Sequence, residues 1–225
     1  MHARDFRRYR ADFVAAQREV LAGGGSDALS EAAFPAYATS PWPARFLFWQ
    51  RVRKVMEYLE SRAPLGAVLD FGCGGGVLLP FLGGVAGRVA AVDRELRPLC
   101  EMRRRLAFPP GLEVRDAADG LPEGPFGYVL ALDVLEHVDD LSGTLRRLLG
   151  VMAPGGELIV SGPTENLLYR VGRAVSGPEY SGAYHVRGVD EIRRGMEQVM
   201  PVSSLATLYP LVPLFRIVRG HKLPL

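Results

Sequence analysis

Leu65-Gly66-Ala67-Val68-Leu69-Asp70-Phe71-Gly72-Cys73-Gly74-Gly75-Gly76 decides how the rest of the chain is read. A short apolar run ends in a carboxylate and passes straight into glycines. Strands covered on both faces read as continuous apolar runs. Glycines let the backbone turn tightly and approach a ligand closely. Val77 to Leu82 then opens a helix, whose first N–H groups lack intrahelical partners and can face that ligand.

Downstream the same rhythm repeats. Arg88-Val89-Ala90-Ala91-Val92-Asp93 is a second strand and Glu95 to Leu106 a second helix, stopped before Pro109-Pro110. Leu112 to Asp116 is a third strand and Tyr128 to Asp133 a fourth. Asp140 to Met152 is a helix ended near Pro154-Gly155-Gly156, and Glu157 to Ser161 is a fifth strand. Strands separated by helices imply a parallel sheet covered on both faces, and right-handed crossovers make it doubly wound. After Gly162 the rhythm loosens. Asn166 to Ser176 reads as a helix, Gly177 to Gly188 as a loop, and Val189 to Met200 as a helix. Val202 to Tyr209 and Leu211 to Val218 are candidate final strands.

Upstream, Phe6, Tyr9, Phe13, Val20 and Leu21 recur at helical spacing among arginines, so Arg4 to Leu21 forms an amphipathic helix. Gly23-Gly24-Gly25-Ser26 ends it. A loop follows, and then a helix from about Pro43 to Arg62 with Trp49, Val52, Met56 and Leu59 inward. Arg7, Arg8 and Arg10 read as a solvated face. The expectation is an α/β chain: a doubly wound, mostly parallel seven-stranded sheet with N-terminal helices. Residues 1–64 form a helical segment or lid. Residues 65–225 form the catalytic domain, with a substrate-covering insertion at about 163–188.

Composition excludes several classes. The 27 basic and 25 acidic residues leave a net charge of +2, too balanced to point to nucleic acid or an acidic membrane. Cys73 and Cys100 are too few for a disulfide framework, which suits a reducing compartment, and no metal-ligand spacing occurs. The charged start is not that of a signal peptide. The uncharged stretch Gln198–Phe215 contains Pro201, Pro210 and Pro213 and is no membrane span. A cytoplasmic protein without a metal or a nucleic-acid partner is expected.

In an open α/β sheet, ligands bind beyond the carboxyl ends of the strands. Three features converge there: the Gly72–Gly76 loop, Asp93 ending the second strand 21 positions after Gly72, and Asp116 ending the third. A carboxylate at Asp93 can accept hydrogen bonds from a ribose diol, and one at Asp116 from an adenine amino group. Adenosine is implied. A dinucleotide is disfavoured, because the third glycine of G-x-G-x-x-G would fall at Val77.

Val68 to Gly76 resembles the first motif of class I S-adenosylmethionine-dependent methyltransferases. Asp93 with Arg94 stands where that family has its ribose-binding acid, and Asp116-Ala117 where it has its adenine-binding pair. Ala131-Leu132-Asp133-Val134-Leu135-Glu136-His137-Val138 is similar to the segment after strand four in the small-molecule branch. Leu148-Leu149 and Met152 to Leu158 resemble the closing motif. The resemblance covers Leu65 to Gly162 in order. It implies that Asp70, Gly72, Cys73 and Gly74 face the methionine part of the cofactor, with Asp133 and Val134 lining it. It also implies methyl transfer to a small molecule, with oxygen favoured over nitrogen or carbon as the acceptor atom and S-adenosylhomocysteine as product. The segment after strand four is not the Asn-Pro-Pro-Tyr type, which disfavours amino groups of nucleic acids.

His137 is a candidate base, or caps the next helix; His185 in the insertion either contacts the acceptor or is a solvated loop histidine. Thr164 faces the cleft or caps a helix. Tyr37, Trp42, Arg45 and Phe46 form a lid or pack ordinarily. The competing functions are an NAD-dependent oxidoreductase, a catalytically silent cofactor-binding module and, more weakly, RNA methylation. The aromatics of the insertion suit an apolar or aromatic acceptor. Oligomeric state has no signature in the sequence.

Overall fold

A glycine loop can present a ligand only if rigid strands hold it, and two compact units, Met1–Gly120 and Leu121–Leu225, supply those strands. The structure is a computed structural model describing residues 3–23, 36–164, 187–208 and 214–224. The fold is a seven-stranded, mostly parallel sheet with helices.

In the first unit, α1 (Ala3–Ala22) buries Phe6, Phe13, Ala16 and Val20, close to the expected stripe. A single turn, α2 (Ala36–Thr39), precedes α3 (Trp42–Glu60), which starts with a proline in its first turn. Trp49 is the hub of this segment. Its ring meets Phe6 at 6.0 Å, Phe13 at 5.9 Å and Tyr37 at 5.4 Å, all edge-on, the geometry aromatic quadrupoles favour. Beside it Arg51 is buried, and its Nη2 donates to the Tyr37 hydroxyl at 2.6 Å.

The strands β1 (Leu65–Phe71), β2 (Ala86–Asp93) and β3 (Glu113–Asp116) run parallel in the order β3-β2-β1. Their register sets Phe71 beside Val92 and Asp93 beside Asp116. Of the intervening helices, α4 (Leu79–Val85) starts two residues later than the expected Val77, and α5 (Arg97–Arg103) is shorter than the expected Glu95–Leu106. Val77 and Leu78 are spent on a turn, in which Leu79 N donates to Gly76 O at 3.1 Å. Pro80 and Pro98 sit in the first turns, where a missing N–H costs nothing.

In the second unit, β4 (Phe126–Leu132) pairs in parallel with β5 (Met152–Pro163). The two last strands reverse: β7 (Phe215–His221) is antiparallel to β5, and β6 (Val202–Leu208) to β7. β5 departs from expectation. It begins at Met152, so Pro154-Gly155-Gly156 lie inside a strand rather than ending a helix. Met152 already pairs with Phe126, and a register shift between Phe126 and Tyr128 absorbs the extra residues, as a bulge does. Gly155 N and Gly156 O are tied to Lys222, each at 2.9 Å.

The helix α6 (Leu141–Val151) is capped by Asp140, whose carboxylate accepts from Gly143 N at 2.8 Å. Its far end is closed by Lys222, whose Nζ donates to Leu149 O and Met152 O. α7 (Val189–Glu197) ends before the expected Met200, with its last turn closed by bonds to Gly195 and Met196 carbonyls. The expected helix Asn166–Ser176 lies outside the described residues. Among the described residues no helix is long and apolar enough to cross a membrane.

Candidate functional site

At the end of β1 the chain turns through Gly72 (φ 78°), Gly74 (φ 52°) and Gly76 (φ 76°), all in the left-handed region that side chains disfavour. Gly72 N and Cys73 N both donate to Val92 O, at 2.8 and 3.2 Å, so the loop leans on the end of β2. The glycines differ in what surrounds them. A Cβ on Gly76 would lie 2.7 Å from Phe108 and 2.8 Å from Leu99, so this position is closed by the core. A Cβ on Gly74 would meet nothing within 4 Å, which leaves open space beside the loop. Cys73 is buried, and burial with the charges of Asp70 and Asp93 pushes its thiol well above the ordinary range. It therefore packs and is not a nucleophile.

Asp93 does more than the sequence reading assigned. Its Oδ2 accepts from Gly74 N at 2.7 Å and its Oδ1 from Glu95 N at 3.1 Å. The acid braces the glycine loop, and since a carboxylate has about four acceptor sites, about two remain. Asp116, half-buried, accepts from Ala118 N at 2.8 Å and caps a 3-10 turn, Ala117–Asp119. Ala117 is half-buried and Arg94 exposed.

Asp70 is 4% exposed. Burial foremost, and then the charge of Asp93, pushes its carboxyl up to about 7; among the described residues no hydrogen bond offsets either effect. A buried carboxyl without a partner lacks the cation or donor that would make its charge tolerable. Tyr9, read from the sequence only as part of an apolar stripe, reaches the same loop from α1: its hydroxyl donates to Val77 O at 2.5 Å. Nothing local marks a contact between residues 68 positions apart.

At the end of β4, Asp133 holds φ 53°, a conformation rare for a residue with a side chain. Ser161, fully buried, secures it: Ser161 Oγ donates to Asp133 Oδ1 at 2.9 Å, and Asp133 N donates to Ser161 O at 3.1 Å. The sequence reading missed Ser161. Val134 and His137 are half-buried, and Leu135–His137 form a 3-10 turn. Arg187 clamps the following residues by donating to the carbonyls of Val138 and Asp139. His185 lies outside the described residues. Thr164 is buried, and its N–H continues β5 by donating to Leu214 O at 3.1 Å.

The aromatic lid expectation divides. Tyr37 belongs to the Trp49 cluster, and Arg45 donates to Ala38 O at 3.1 Å, so both serve packing. Trp42 is 73% exposed and Phe46 is 37% exposed.

A family described as a methyltransferase domain matches residues 42–208. Several relatives are named ubiquinone biosynthesis O-methyltransferase. The one from Methylocella silvestris is 35% identical over 133 residues, 56% of this chain and 51% of that protein. The one from Caulobacter is 29% identical over 155 residues, 65% of this chain and 60% of that protein. The chain thus spans about half the length of the curated relatives it matches. Among solved structures, magnesium protoporphyrin IX methyltransferase from Synechocystis PCC 6803, with bound S-adenosylhomocysteine, aligns with a TM-score of 0.65 at 18% identity, covering 87% of this chain and 97% of that one. The N-methyltransferase NodS from Bradyrhizobium japonicum WM9, in complex with S-adenosylhomocysteine, aligns with a TM-score of 0.64 at 14% identity, covering 88% and 99%. These likenesses establish a Rossmann-like methyltransferase fold, and the chain belongs to the methyltransferase domain family.

Proposed function

We propose that this chain binds S-adenosylmethionine and transfers its methyl group to a hydroxyl of a small, apolar or aromatic acceptor. The observation that carries the reading is the first unit's arrangement at the strand ends. A buried carboxyl (Asp70) without a hydrogen bond, an open glycine turn (Gly74) and two half-occupied carboxylates (Asp93, Asp116) end three neighbouring parallel strands. The donor set suits the cofactor: an acid for the ammonium of its methionine part, backbone for close approach, and acceptors for a ribose diol and an adenine amino group. Cys73 contributes through its backbone, and Arg94 and Ala117 flank the two outer acids. For Asp133, Val134 and His137 the proposal rests on the resemblance and on their position at the end of β4. The relatives' name favours oxygen as acceptor. The fold does not choose, because one aligned structure is an N-methyltransferase.

When bound, the cofactor supplies an activated sulfonium methyl group open to in-line displacement. The chain's task is then to hold donor and acceptor aligned, an effect that can be worth about 7–11 kcal/mol. Taking up the hydroxyl proton is assigned to His137, with His185 the second candidate; a general base contributes roughly 10²–10⁴-fold.

Titration calorimetry with S-adenosylmethionine, S-adenosylhomocysteine and NADH tests the cofactor. Micromolar binding of the first two, with NADH silent, is expected. Saturable NADH binding alone would replace the reading with a dinucleotide enzyme. Release of S-adenosylhomocysteine across a panel of phenols then tests turnover, with His137→Gln expected to lower kcat while leaving cofactor affinity within about twofold. Cofactor binding with no turnover on any acceptor would instead support a silent binding module.

A further inference from the structure

We propose that Tyr9 is a positioning residue that couples the seating of helix α1 to occupancy of the glycine loop. The inference rests on the S-adenosylmethionine reading and extends it to a residue outside the motifs. Most of what holds α1 is apolar: Phe6 and Phe13 lie edge-on to Trp49. Its far end carries the Glu19–Arg105 pair at 3.6 Å, in which Glu19 is 70% exposed, too wet to fix a position. The Tyr9 hydroxyl is different. It reaches the Val77 carbonyl at 2.5 Å, between the last glycine of the loop and the start of α4.

That carbonyl belongs to the turn that shapes the loop. Gly76 N donates to Cys73 O at 2.8 Å, and Leu79 N donates to Gly76 O. The Val77 carbonyl belongs to the central peptide of the turn that the second of these bonds closes, so reorienting it would disturb that bond. The hydroxyl stays protonated and keeps its proton for this one acceptor. Burial pushes its ionisation above the ordinary tyrosine range; a backbone hydrogen bond at Phe81 pulls it part of the way back, and the charges of Asp70 and Tyr37 add to the rise. A ligand that orders this loop must then strengthen the docking of α1. By linkage, docking of α1 strengthens the ligand by the same factor.

The test uses the full chain, S-adenosylhomocysteine as probe, and hydrogen–deuterium exchange of residues 3–23 with and without it. The wild-type protein is expected to show slower exchange in α1 when the probe is bound. Tyr9→Phe keeps the ring and is expected to bind roughly three- to tenfold more weakly, the loss of one buried hydrogen bond, and to lose the probe-dependent slowing. A merely structural tyrosine would change the melting temperature but not the difference between bound and free exchange. Wild-type protein that binds the probe with unchanged α1 exchange overturns this proposal alone; so does Tyr9→Phe with wild-type affinity and retained protection. Failure of the wild-type protein to bind the probe at all overturns the cofactor reading and this inference with it. The wild-type exchange comparison stands even if Tyr9→Phe does not fold.

Discussion

Asp70→Asn should make the ligand-free protein more stable and the cofactor weaker, and the balance should depend on pH. Folding buries the Asp70 carboxyl and lifts it from 3.8 to about 7. Between those values the folded chain holds a proton that the unfolded chain has released, so stability falls as pH rises through that window. At about 1.4 kcal/mol per pH unit, the whole window amounts to about 4 kcal/mol. Asparagine removes that cost but buries an amide in the same place, at about 1–3 kcal/mol. The net gain is then about 1–3 kcal/mol at pH 8. It shrinks towards zero or below at pH 5, where Asp70 is already protonated. Urea unfolding of the two ligand-free proteins at pH 5, 6, 7 and 8 measures the difference; other titrating groups largely cancel because they are common to both. S-adenosylhomocysteine binding at pH 8 should fall at least tenfold in the variant, because the ammonium loses its counter-charge. A stability difference independent of pH, or a variant less stable than wild type at pH 8, would refute the placement of an uncompensated carboxyl at this site.

Two further expectations concern the backbone. Gly76→Ala places a methyl group 2.7 Å from Phe108 on a left-handed residue and should cost about 2–4 kcal/mol in urea unfolding. Gly74→Ala has the same backbone penalty but open space, so it should cost about 1–2 kcal/mol while weakening S-adenosylhomocysteine more than tenfold in calorimetry. Ser161→Ala removes the hydroxyl that holds Asp133 and should cost about 1 kcal/mol in the wild-type background. That cost should vanish in Asp133→Gly, which needs no restraint at φ 53°, and a thermodynamic cycle of the four proteins reads the coupling.

The strands β1 to β4 were legible because a buried parallel strand is written locally, as an apolar run with an acid or glycine at its end. The same holds for the acids Asp70, Asp93 and Asp116, and for Val77, whose side chain breaks the dinucleotide fingerprint. What escaped is non-local. The early start of β5 depends on Met152 finding Phe126 and on the register shift beside it, while Pro154-Gly155-Gly156 carries a stop signal in isolation. Arg51 lies beside Val52 on a helix whose buried surface runs from Trp49 to Leu59, and its charge disguised its burial. Tyr9 meets Val77 across 68 positions, and Ser161 meets Asp133 across 28. Neither pair leaves a periodic trace, because each depends on which strands and helices become neighbours.

Asp93 shows why such a site is easier to locate than to apportion. A ribose-binding acid would be dispensable to an empty protein. Here the carboxylate already accepts from Gly74 N and Glu95 N, holding the glycine turn and the entry to α5 before any ligand arrives. Asp116 likewise caps its own 3-10 turn through one oxygen. Both acids therefore have a conformational reason to be carboxylates that is independent of the cofactor, and each keeps an oxygen lone pair for it. In the proposed site this amounts to preorganisation: the acceptors are fixed by the backbone they support, so a ligand would spend little of its binding energy on ordering them. Asp70 has no such second task. It is the buried carboxyl at these strand ends whose charge nothing in the described residues compensates, and for that reason its substitution tests the proposed site most directly.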